Sequence, residues 1–569
     1  MRKMAFKIRG VLRSVILKIL YYSKRLLQEL WTLWLILLCF FLMLEIANPY
    51  YFLQDDNRDF YLPFFVNNTR DLFKGELPLI NFHQLLGSPL LASGQTGVLY
   101  APAYIAVILS KIIFRHVFAA IDILVVFHLL VGASGVYYVL KLIGTDKRVR
   151  IFGALTWPLA SFIIYASNSW VIVSGTAAYF PWMLYFSMKL YEGYTRKRFL
   201  CLIIVRLVFF YMGHVQYFIY SVIFEGLTML CILLLSCLSR REFIKAGKFI
   251  IWYAASYIFT YVFSLPLLLP MWHQTQISAT RSAPLDFEMY ISEKMTISNW
   301  IKGLTEPALE TPDTEIWAYR RLNNLSHIGF ISIPFFVIGL FSVFFEKLNK
   351  RNKQLGKYIL IFLPPGIIAF LWQSSDKFNE MIYKIPVLNR FRWPFKLQFF
   401  TSFYMIIIAA IGFASLLYIV ECIAGKVFKS NIMKNSERFK ADNANKVNKL
   451  IKINKRINLN KLKEINSLLS QNGKAVSITA ILVITVQISN FVWLYCFNPQ
   501  VNFGQHLDSV PLVEPLKDIL DDGKVVSVGF NIWEPNYINV TGFKYNTLKT
   551  MGFNYPTLWW LYGVAGYDP

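Results

Sequence analysis

Residues 31–64 read WTLWLILLCFFLMLEIANPYYFLQDDNRDFYLPF. The first half, Trp31 to Ala47, is an apolar run long enough to cross the hydrocarbon core of a bilayer, which takes about 17 residues or more. The second half sets Asp55, Asp56, Arg58 and Asp59 among aromatic side chains directly after it. The side of the membrane on which these acids emerge decides how the rest of the chain is threaded.

The chain as a whole repeats the pattern of that first half. Its 569 residues are 56% hydrophobic, 17% aromatic and only 16% charged, the composition of a polytopic membrane protein. The net charge of +25 does not mark a nucleic-acid binder, because Lys and Arg fall in short blocks between apolar runs rather than on one solvated face. All six cysteines lie in or at the ends of apolar segments, without CxxC spacing, so neither a disulfide framework nor a zinc site is expected. The chain also lacks a GxxxxGK[ST] phosphate loop, an HExxH and a GxSxG.

The basic blocks set the topology. Residues 1–30 carry eight Lys or Arg against one Glu, and no small-residue cleavage site follows, so this end is expected to stay in the cytoplasm with Trp31–Ala47 as a retained anchor. Residues 426–474 hold thirteen Lys or Arg against three acids and read as a cytoplasmic loop. Lys347–Lys357, Arg240–Lys248, Arg196–Arg198 and Lys147–Arg150 fit the same face. About eleven transmembrane spans result: 31–47, 117–143, 151–168, 170–190, 199–213, 217–238, 249–271, 326–345, 358–373, 397–421 and 475–497. The fold expected is thus an all-α polytopic membrane protein, with a transmembrane core over 31–425, outer loops at 48–116 and 272–325, and an extracytoplasmic C-terminal segment over 498–569.

Val98–Phe114 is apolar too, but counting it as a span would invert every later basic block. It is assigned to a helix lying in or re-entering the outer interface. A second juxtamembrane helix is expected just before it. Phe60, Tyr61, Phe64, Phe65, Leu72 and Phe73 recur at helical spacing, with Arg58, Asp59, Arg70, Asp71 and Lys74 on the opposite face and Pro63 in the first turn.

This threading gathers chemistry on the outer face. Asp55 and Asp56, where a span meets water, are candidates for a general base or for holding a divalent cation, Mg²⁺ or Mn²⁺. The competing reading makes Asp56 or Asp59 a helix cap. Arg392, in FRWPF, suits an anionic phosphate, or else anchors its helix at the interface. His214 and Gln216, in the hairpin MGHVQY, suit a polar substrate, and Arg281 emerges on the same side. Asp59 and Tyr61 complete the substrate-binding candidates. Arg206 lies inside a span, where it needs a buried partner or a place on a pathway.

These segments carry a resemblance. DDNRDFYLPF, then GELPLINFHQLLGSPLL and YAPAY, is similar to the first outer loop of the C-type (GT-C) superfamily of integral-membrane glycosyltransferases. The nearest likeness within it is to the YfhO-like family of bacterial membrane proteins. The matching positions are Asp56, Tyr61 with Pro63, Gly75 with Leu77 and Pro78, and Leu86-Gly87-Ser88, with Arg392 and Pro394 in the later Phe-Arg-x-Pro stretch and the GYDP tail in the C-terminal segment. The resemblance implies transfer of a sugar from a polyprenyl-phosphate carrier to an envelope glycan, lipid or protein acceptor on the outer face of the plasma (inner) membrane, with inversion. An aspartate of the first outer loop would be base or metal ligand, and arginines would steady the carrier phosphate. The acidic motif is doubled here, and the chain stops at GYDP where such proteins continue, as a short variant or a truncated one would. The rival readings are a transporter or flippase and a non-enzymatic envelope-assembly protein. A transporter is expected to show internal repeats and charged or Gly/Pro-broken spans at mid-membrane depth; no repeat is evident, and the acids cluster on one face.

Overall fold

The long apolar runs become helices, since inside a bilayer only internal hydrogen bonding satisfies the backbone. The computed structural model describes residues 28–83, 87–236, 240–278, 281–306, 325–342, 350–443 and 454–497, and the short parallel pair Lys524–Val525 with Tyr562–Gly563. The basic N-terminus, Arg320, Arg321 and the GYDP tail lie outside these residues.

Among the described residues nine helices are long and apolar enough to cross a membrane. They are Gln28–Ala47, Ala120–Leu142, Lys147–Ser169, Val171–Glu192, Val215–Ser236, Glu242–Ile277, Leu355–Ser374, Pro394–Ile423 and Gly473–Phe497. The chain is therefore a multi-pass membrane protein. Two of the eleven expected spans form shorter helices. The run at 199–213 forms Arg196–Tyr211, and that at 326–345 contains the ten-residue helix Ser332–Phe341. At about 1.5 Å per residue the first is about 24 Å long and the second about 15 Å. Arg196–Tyr211 still runs from Arg198, beside Glu192 at one end of Val171–Glu192, to the Gly213 turn against the first outer loop. Ala101–Phe114, the expected interfacial helix, is shorter than Arg196–Tyr211, and Pro102 sits in its first turn.

Small residues let the helices approach closely. A Cβ on Gly132 would lie 2.3 Å from Ala177 O, and one on Gly412 would lie 1.9 Å from Phe335 O, so backbones touch at both crossings. Polar pins hold the last helix. Gln487 Nε2 lies within 3.2 Å of Thr156 Oγ1, Ile328 O and Ser332 Oγ, and Asn490 Oδ1 is 3.0 Å from His327 Nε2. Near its end, Tyr495 shares a hydrogen bond with Ser161 Oγ at 3.0 Å and its carbonyl accepts from Asn48 Nδ2.

Arg206 has its buried partner. Its guanidinium donates to Glu225 Oε1 at 2.6 Å and to Ser256 Oγ at 2.6 Å, and it stacks 3.6 Å from the Tyr257 ring. Tyr257 OH and Ser187 Oγ donate to the same carboxylate. Both charges are fully buried.

The first outer loop corrects the amphipathic expectation. A π-helical turn, Asn57–Tyr61, runs into the helix Leu62–Phe73 with Pro63 in its first turn. Arg58, Asp59 and Arg70, assigned to the polar face, are buried, while Leu72 and Phe73 are exposed. The reason is pairing inside the fold: Arg58 pairs bidentately with Asp59 at 2.6 and 3.0 Å, and Arg70 lies 4.0 Å from Asp71 Oδ1 and donates to Asn67 Oδ1 at 2.5 Å. Paired charges lose most of their preference for water, so spacing alone misassigns the faces.

Candidate functional site

The site starts from a break between two helices. Trp170 is a single extended residue, φ −129° and ψ 92°, between Ser161–Ser169 and Val171–Glu192. Asn57 staples the first outer loop onto this tip. Its Oδ1 accepts Val171 N at 2.6 Å, and its Nδ2 donates to Phe52 O and Ser167 O, both at 2.8 Å. Gln54 N adds a bond to Asn168 O at 3.0 Å. The loop thus presents Asp56 to Trp170, whose indole N–H donates to Asp56 Oδ2 at 2.9 Å. Although Asp56 precedes the π-helical turn, its side chain makes no capping hydrogen bond there.

The opposite wall comes from residues 388–398. Trp393 sits at φ 68° and ψ 81°, and Pro394 then opens the helix that continues through Gln398. The Trp393 ring lies nearly parallel to that of Trp170, 13° apart with centroids 6.0 Å distant. Arg392 lies 4.1 Å over the Trp393 ring. Gln216 joins this wall to the Val215–Ser236 helix, donating from Nε2 to Arg392 O at 2.9 Å and accepting from Lys396 Nζ at 3.0 Å. Lys396 is 5% exposed.

His214 stands beside Gln216. Burial first, and then the charges of Lys396, Arg281 and Arg392, hold its imidazole well below the usual histidine range. Its Nδ1 accepts Tyr217 N at 3.2 Å, which leaves Nε2 as the protonated nitrogen of a neutral ring. The preceding Gly213, at φ 98°, packs against the first outer loop so closely that a Cβ there would lie 1.8 Å from Gly94 O.

The structure therefore brings together Asp56, His214, Gln216, Arg281 and Arg392 at one end of the bundle. Asp55 is adjacent, at φ 46°. Asp59 pairs with Arg58, and the Tyr61 hydroxyl donates to Gln95 Oε1 at 3.3 Å, so the bonds described for these two lie within the first outer loop. Sequence reading missed Lys396, Trp170, Trp393 and Glu293. A lysine at the mouth of an apolar run resembles an interfacial anchor, and one tryptophan between two spans resembles a belt residue. The available signal was the abrupt junction: one residue links two spans at Trp170, and Pro394 forces a turn after Trp393.

Backbone strain concentrates here. Six non-glycine residues among those described have positive φ, and three of them, Asp55, Glu293 and Trp393, are at or beside this pocket. Each such residue costs of order 1–3 kcal/mol and persists only where its surroundings enforce it.

Asp55 and Asp56 could offer two carboxylates to a Mg²⁺ or Mn²⁺ ion. One oxygen of Asp56 already accepts an indole N–H, and the described residues hold no group of three or more His, Cys, Asp or Glu placed to bind a metal. An ion there would take its remaining ligands from substrate phosphate and water.

No family model matches the chain, and no curated protein matches its sequence. Among solved structures it is similar to the apo form of the oligosaccharyltransferase of Archaeoglobus fulgidus, at 11% identity and a TM-score of 0.40, over 93% of this chain and 64% of that one. This chain thus spans less than two thirds of the length of that protein. At so low a TM-score the likeness carries no weight, and the functional reading rests on the site.

Proposed function

We propose that the chain is a membrane glycosyltransferase of the GT-C kind, moving a sugar from a polyprenyl-phosphate carrier to an envelope acceptor, with the pocket of Asp56 and Lys396 as its reaction centre and the extracytoplasmic side as its active face. The supporting observation is one carboxylate and a cationic wall brought together on strained backbone at one end of the spanning helices. Reaction at the anomeric carbon needs both halves. Asp56 takes the proton of the attacking hydroxyl, and as the bond from C1 to the phosphate oxygen breaks, Arg392 and Lys396 stabilise the charge on the departing phosphate. Attack and departure from opposite faces invert the anomeric centre. His214, neutral with Nε2–H, donates a hydrogen bond without adding charge.

The test is transfer by the purified full-length protein in vesicles, using a radiolabelled polyprenyl-phosphoryl sugar and envelope lipid extract. Label moving to the acceptor fraction, and ceasing to move in Asp56→Asn, supports the reading. Equal label transfer in Asp56→Asn, or no transfer from any carrier-linked sugar, defeats it.

A further inference from the structure

A cavity of about 470 Å³ lies between the first outer loop and the spanning helix Glu242–Ile277, and it shares no wall residue with the pocket of Asp56 and Lys396. Leu77, Leu91 and Leu99 of the loop, Ile105 of the helix Ala101–Phe114 and Pro266 of the spanning helix form its walls. Among the described wall residues only Tyr104 has a polar side-chain atom, and its hydroxyl donates to Val98 O at 2.7 Å. Water in a cavity needs about two to four polar partners, whereas a dry apolar cavity of about 150 Å³ admits benzene. This one has room for a hydrocarbon segment about three times as large.

Phe263 and Leu269, about one helical turn either side of Pro266, are exposed on the spanning helix, as are Ile105 and Ile112 on Ala101–Phe114. The cavity is therefore continuous with the apolar face that the bundle turns to the bilayer. On the same spanning helix Met271 reaches Gly94 and closes the contact with the loop, and the short ring of Pro266 leaves room beside Leu77 and Ile105. The loop also divides the cavity from the candidate site. Leu91, Val98 and Leu99 line the cavity, and the tip between them meets Gly213 at Gly94 O and Tyr61 at Gln95. That division favours a lipid that does not react over the sugar carrier, whose phosphate has to reach Lys396. We infer that the cavity binds one acyl chain of a bilayer phospholipid, a resident lipid that packs the loop carrying Asp56 against the Pro266 helix. Such a chain is stabilised by burying its methylenes and asks for no polar partner on the wall.

The experiment places the full-length protein in phosphatidylglycerol nanodiscs doped with a phosphatidylglycerol that carries a photoreactive diazirine midway along one acyl chain, and maps the cross-links by mass spectrometry. Ile481 and Leu482, exposed on the last spanning helix, report ordinary contact with the bilayer. The expected result is tenfold or more labelling of the peptides holding Leu77, Leu99 and Ile105 over the peptide holding Ile481 and Leu482. Ala101→Trp, which fills the cavity from an exposed wall position, is expected to remove most of that excess. Leu77→Asp, which puts a charge on the wall at another exposed position, is expected to do the same, and thermal unfolding of each variant is recorded. Equal labelling of the cavity peptides and the last helix overturns the inference, as does an unchanged excess in both variants. Loss of the label to a short-chain isoprenyl phosphate added at a tenth of the lipid concentration would give the cavity to the carrier, and overturns it too. The cross-links are read without any sugar transfer, so each of these failures leaves the transferase reading to its own test.

Discussion

Two charged constellations are buried in this protein, and they are built on opposite terms. At Arg206 and Glu225 the charges cancel one to one, and Ser256, Ser187 and Tyr257 add hydrogen bonds to the pair. At Asp56 and Lys396 the ammonium is bonded to Gln216 among aromatic rings, with Arg392 nearby, and neighbouring backbone is held at positive φ. A buried pair that is closed on itself holds helices together. A buried group of charges among aromatic rings, on strained backbone, is arranged for something that arrives.

The largest expected effect breaks the second constellation without touching the first. Asp56→Asn should lower turnover by about 10² to 10⁴, the range of a positioned general base, with the unfolding midpoint unchanged. Asp55→Asn, one residue earlier, should stay within about tenfold, because it is Asp56 that meets Trp170 and acts on Lys396. Equal losses in the two variants would erase that distinction.

Next comes the first constellation. Arg206→Met strands Glu225 in the bundle and should cost about 3–5 kcal/mol of stability, whereas replacing both partners with apolar residues of similar volume should restore most of it. Unfolding of the single and double variants in one detergent decides this. A double variant as unstable as the single one would mean the pair does more than cancel itself.

A smaller effect separates the two by pH. His214 is held neutral in the fold, while in the unfolded chain it titrates near about 6.5. Below that value the unfolded chain binds a proton that the folded one refuses, so stability falls on acidification, by at most about 1.4 kcal/mol per pH unit. His214→Gln should flatten that slope between about pH 7 and about pH 5 in midpoint-versus-pH measurements. The smallest effect concerns metal: EDTA should change turnover by less than about tenfold, since the proposed step runs on Asp56, Arg392 and Lys396 without an ion. Abolition by EDTA with rescue by Mn²⁺ would return Asp55 and Asp56 to the role of ligands.

Much of this arrangement was legible. Runs of spanning length gave nine of the eleven expected crossings, and the parity of basic blocks placed Asp56, His214, Gln216, Arg281 and Arg392 on one face, where the structure has them. Hydropathy could not place the ends of the helix Ser332–Phe341, because it averages over an apolar run and does not see where the backbone turns. Helical periodicity failed at Arg58, Asp59 and Arg70 for a related reason: it ranks side chains by their affinity for water and is blind to partners.

The sequence by itself determined that this is a multi-pass membrane protein and that its acids and arginines gather at one end, since burying apolar length and keeping Lys and Arg on one side are properties of segments. Only the tertiary structure decided that Asp56 faces the pocket through Trp170, that Lys396 is its central cation and that Arg206 is closed off with Glu225. These are matters of charge balance between residues up to 340 positions apart, from Asp56 to Lys396. No segment carries that sum, because the energy of a buried charge depends on its neighbours in space.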